Sequence, residues 1–120
     1  MQIRQDELIS IYEDMITSIW SKATAMIGEV TISSLMETAI YETSSKYRFM
    51  QEMEVLPTGI NIDKLKISCQ NESVQDIKAG FENFITDLFT IVASLTGDVI
   101  LQTLNPEIEK IKKKLKKEAT

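Results

Sequence analysis

The amino-acid sequence predicts a mainly α protein: one helical domain over 1–120, a bundle made of two pseudo-symmetric helix–bend–helix repeats. Three observations predict it. Apolar residues recur at helical spacing through both halves of the chain. Residues 12–35 echo residues 81–104 without a gap, at an offset of 69. Helix-start and turn residues stand where the periodicity changes.

The echo pairs YEDMITSIWSKATAMIGEVTISSL with FENFITDLFTIVASLTGDVILQTL. Six of 24 positions are identical: Glu13 with Glu82, Ile16 with Ile85, Thr17 with Thr86, Gly28 with Gly97, Val30 with Val99 and Leu35 with Leu104. Tyr12 with Phe81, Trp20 with Phe89 and Glu29 with Asp98 are similar in chemistry. A repeated unit of this kind predicts a pseudo-symmetric fold.

The first repeat spans about 6–49. Leu8, Ile11, Tyr12, Met15, Ile16, Ile19, Ala23, Met26, Ile27 and Val30 keep the spacing of one helix face. The pattern continues through Leu35, Met36, Ala39 and Ile40. Asp6 and Glu7 suit a first helical turn, where the helix dipole favours negative charge. Gly28 interrupts the pattern, and an acid follows it. A glycine there costs on the order of 1 kcal/mol relative to alanine. A bend between two helices is the leading reading. Close helix–helix approach and a backbone–ligand contact are the alternatives.

The connector, 50–72, breaks the helical rhythm. Met53 and Val55 alternate with Glu52 and Glu54, and Leu65, Ile67 and Cys69 with Lys66, Ser68 and Gln70. Pro57-Thr-Gly59 supplies turn chemistry between them. One short β-hairpin fits this pattern, and a short helix capped by Asn61 competes with it.

The second repeat spans about 73–117. Ser73-Val-Gln-Asp76 has the form of a capping box. Ile77, Phe81, Phe84, Ile85, Leu88, Ile91, Val92 and Leu95 make a wide apolar stripe. Asn105-Pro106 predicts the start of a last helix that runs to about Lys117.

Composition narrows the function. The chain has no His and a single Cys69. The usual general base, most zinc sites and a disulfide framework are therefore excluded. Its four glycines are isolated, so no phosphate-cradling loop is present. No catalytic, cofactor-binding or metal residues are expected, and no cofactor. Glu13 with Glu82, and Glu29 with Asp98, could converge on a cation only if the repeats pack symmetrically. Solvated or dipole-compensating roles are the stronger reading of these acids. Cys69 reads as a small apolar packing residue, which fits a cytoplasmic setting.

Charge is unevenly spread. Residues 1–109 hold 7 basic and 17 acidic groups, and residues 110–120 hold six Lys and one Glu. The acidic body argues against nucleic-acid binding. Asp87 and Asp98 interrupt the apolar run at 84–104, so no membrane span is expected. The basic tail, with Ile108, Ile111 and Leu115 at helical spacing, reads first as a solvated segment that compensates a helix dipole; an acidic partner or sister subunit, and lipid or nucleic acid, are the alternatives.

These features predict a non-catalytic interaction or regulatory module that acts as a homodimer, with a further protein partner conceivable. Trp20, Met15, Phe89 and Phe84 are the candidate interface or ligand-lining residues, because large aromatics anchor interfaces and Met adapts to partners. The alternative is a sensor holding a small apolar ligand between the two repeats.

Overall fold

A computed structural model describes residues 4–97 continuously, together with positions 102, 105, 106, 109 and 113. The described chain is mainly helical. Helix α1 (Gln5–Ile27) leads into α2 (Glu29–Ser44). A 3₁₀ turn at Arg48–Glu52 then leads to strands β1 (Glu54–Leu56) and β2 (Gly59–Asn61). Helix α3 (Asp63–Ser68), a 3₁₀ turn at Cys69–Asn71 and α4 (Val74–Thr96) follow.

Helices α1 and α4 are both 23 residues long. They begin at Gln5 and Val74 and end at Ile27 and Thr96, so both bounds differ by the 69 residues of the echo. Each closes on a glycine with positive φ: Gly28 at φ 88° and Gly97 at φ 74°. Each glycine N–H donates to the carbonyl four residues back, Thr24 and Ala93 respectively. A side chain is strained in that region of φ, which explains glycine at both sites. A Cβ at either position would meet nothing within 4 Å among the described residues. The requirement at Gly28 is thus conformational, a break between two helices, and close packing plays no part. Of the counterpart of α2 and the helix expected from Pro106, only positions 102, 105, 106, 109 and 113 are described, and each is helical; the rest lies outside the described residues.

The core repeats as well. Leu8 and Ile77, Tyr12 and Phe81, Met15 and Phe84, Ile16 and Ile85, Ile19 and Leu88, and Ala23 and Val92 are all buried. They share one apolar cluster with Ile32, Leu35, Met36 and Ala39 of α2. Helix α2 packs most extensively on α4 and also touches α1. Thr43, near the end of α2, reaches Asn83 and Asp87 in α4, and Phe49 lies against Gly80.

The two long helices differ where the connector covers only one of them. Ile9 is buried, whereas its counterpart Lys78 is exposed. Trp20 is buried, whereas Phe89 is partly buried. The turn containing Cys69 and Gln70 lies beside Ile9, and the Trp20 ring lies beside Gly59 of β2.

Both connector readings hold, in different places. The hairpin is antiparallel and pairs Glu54 with Asn61, Val55 with Ile60 and Leu56 with Gly59. The 65–69 stretch is helical instead of a strand. Leu65 and Cys69 are buried one turn apart, while Ile67 between them is 66% exposed. Alternation suggested a common face for all three, but the helical period separates Ile67 from its neighbours. Asn61 Oδ1 accepts the Asp63 N–H at 2.9 Å just ahead of α3, but the N-cap position itself is Ile62, with no side-chain cap. Ser73 Oγ accepts the Asp76 N–H at 3.0 Å and caps α4.

Candidate functional site

The outer face of α2 carries Val30 and Tyr41, the two most exposed large hydrophobic residues among the described residues. Val30, Ser34, Glu37 and Tyr41 fall at i, i+4, i+7 and i+11, one stripe of a helix. All four are exposed, and Thr38 and Glu42 flank them. Val30 is 81% exposed and Tyr41 80%. The opposite face, carrying Ile32, Leu35, Met36, Ala39 and Thr43, is buried and holds α2 on the core.

The face is held in place by a polar contact at its C-terminal end. Thr43 is fully buried, and its hydroxyl donates to Asp87 Oδ2 at 2.9 Å. Asn83 Nδ2 donates to the same carboxylate oxygen at 2.9 Å and to Thr43 Oγ1 at 3.2 Å. Three side chains thereby satisfy one another across the α2–α4 interface.

The residues singled out from sequence lie in or against the core. Met15 and Phe84 lie in the core at 2% and 0% exposure. Trp20 is buried at 8%, and Phe89 packs against the core while keeping some solvent contact. Their size and apolar character mark them equally as core or interface, so residue type alone does not separate the two. Tyr41 escaped notice because it follows Ile40 as though continuing the apolar stripe. Its position relative to Met36 and Ala39 puts it on the other face.

The carboxylates of the echo have separate partners. Glu82 Oε1 accepts the Tyr12 hydroxyl at 3.4 Å, and Glu13 faces Lys66 at 3.6 Å. Glu29 is exposed at the start of α2, and Asp98 lies outside the described residues. Among the described residues no group of three or more His, Cys, Asp or Glu side chains could hold a metal ion. A shallow cleft of about 230 Å³ lies between α1 and the connector, lined by Gln5, Asp6, Ile9, Ser10, Lys66, Cys69 and Gln70. Burial, with Glu72 nearby, pushes the Cys69 thiol up to about 12, so the thiol stays protonated and unreactive at neutral pH. No helix among the described residues is long and apolar enough to cross a membrane.

Comparison with protein-family models, curated proteins and solved structures finds no match in any of the three.

Proposed function

We propose that the chain is a duplicated helix–bend–helix module with a non-catalytic, regulatory or scaffolding role, acting through protein–protein contact as a homodimer. The observation that carries this reading is the outward stripe of α2, where Val30 and Tyr41 are each at least 80% exposed. A tyrosine presents a large apolar body with a polar tip, the chemistry favoured at interfaces. The duplication is supported by the equal spans of α1 and α4, the positive-φ glycines that close them and the matching buried positions.

A sensor with a small apolar ligand between the repeats has less support. Tyr12 and Phe81 are stacked on one another in that space, so a ligand there would have to displace a buried aromatic pair.

Light scattering across micromolar concentrations tests the proposal. A mass near twice the 13.6 kDa of the chain is expected. A mass of one chain at the highest concentration overturns the dimer.

A further inference from the structure

We infer that the outer face of α2 receives the lysine-rich C-terminal segment, residues 110–117, of a second copy of this chain. The inference rests on the homodimer proposed above and names the surfaces that form it.

Charge complementarity selects the occupant. Helix α2 carries Glu29, Glu37 and Glu42 and no basic residue. Glu37 lies on the same stripe as Val30 and Tyr41, and Glu42 stands beside it. Residues 110–117 read KIKKKLKK, six lysines with Ile111 and Leu115 four positions apart. An acidic surface with apolar contacts thus has a basic segment with apolar residues to match it. In a body whose residues 1–109 carry ten more acids than bases, this is the one concentrated block of positive charge.

Exposure argues that the occupant comes from outside. Val30 and Tyr41 stay about four-fifths exposed in the folded chain, at 81% and 80%. Symmetry completes the case. Each copy offers one α2 face and one basic segment, so two copies form the same contact twice and the assembly closes. Opposite charges at the rim speed encounter and set register, and the buried tyrosine supplies affinity.

The test uses the full chain in sedimentation equilibrium. The double variant Glu37→Lys/Glu42→Lys should raise the dimer dissociation constant roughly tenfold at low salt, two charge reversals at exposed pairs. Tyr41→Ala should weaken it by about tenfold or more. Adding Lys113→Glu/Lys116→Glu to the first variant should restore dimerisation. Raising salt should weaken the wild-type dimer, because the Debye length falls from about 10 Å at 0.1 M to about 3 Å at 1 M. A photo-cross-linker at position 41, in a mixture of heavy- and light-labelled chains, should link heavy to light at residues 110–117. A wild-type monomer overturns both the dimer and this inference. A dimer indifferent to the α2 and lysine variants overturns the inference alone. Cross-links confined to single chains place the segment on its own α2 and also overturn it.

Discussion

Tyr12 and Phe81, separated in the chain by the 69 residues of the echo, stack on each other with ring centroids 4.8 Å apart and planes 3° from parallel. Both rings are buried, at 1% and 0% exposure. Phe81→Ala is expected to destabilise the fold by about 3–5 kcal/mol, the range for removing a buried aromatic. Tyr12→Phe should cost only about 1 kcal/mol, since it keeps the stack and loses one long hydrogen bond to Glu82. Urea unfolding of the two variants measures both. A Phe81→Ala loss under about 1 kcal/mol would remove the stack from the centre of the fold.

Two glycines should respond to alanine for opposite reasons. At Gly28 there is room for a methyl group, but φ is 88° with ψ 157°, outside the ordinary L-residue basins. Gly28→Ala should cost about 1–3 kcal/mol as backbone strain. Gly80 lies inside α4, where alanine is the better helix former. There a Cβ would stand 2.5 Å from Phe49 Cζ, so Gly80→Ala should also destabilise, by about 1–3 kcal/mol through overpacking. Trimming the ring with Phe49→Leu should reduce the loss at Gly80 and leave the loss at Gly28 unchanged. If Phe49→Leu reduced the loss equally at both sites, the distinction would be refuted.

Thr43→Val keeps the shape of the side chain and deletes its hydroxyl. Asp87 and Asn83, both partly buried, then each lose a partner. The expected loss is about 1 kcal/mol, because Asn83 still donates to Asp87 and only the bonds to the hydroxyl are lost. Thr43→Ser should recover most of it. Thermal unfolding distinguishes the variants, and a Thr43→Val protein as stable as wild type would show the network to be dispensable.

Stability should fall in alkali. Burial raises the Cys69 thiol from 9.0 to about 12 and also raises the Tyr12 phenol, which has the Glu82 charge beside it. Each group holds its proton more tightly in the folded chain. Their contribution is therefore fully present below the unfolded values of 9.0 and 10.0 and is lost as pH rises through the folded ones. Denaturant midpoints should decline from about pH 9 upward. Cys69→Ala should flatten the first part of that decline, and an unchanged slope would exclude the thiol as its source.

Much of the local structure was legible in the residues. The two apolar stripes, the acids in the first turn of α1, the Ser73 cap and the break at Gly28 each follow from short-range rules of spacing, dipole and φ. The connector was partly legible. Its turn was readable, but the 65–69 stretch was ambiguous, because in five residues Leu65 and Cys69 satisfy both a period of two and a period near four. The face carrying Val30 and Tyr41 was not legible, because an apolar residue looks the same whether it points inward or outward.

The sequence by itself determined that the chain is mainly helical, that a like segment recurs 69 residues on, and that glycine ends the helix in each. These depend on interactions within a few residues, which the chain carries wherever it is placed. Only the tertiary structure decided that Met15, Phe84 and Trp20 are core, that Glu13 and Glu82 take different partners, and that α2 turns Tyr41 to solvent. Burial is a property of what packs on a residue, and its neighbours here come from α4 and the connector, tens of positions away.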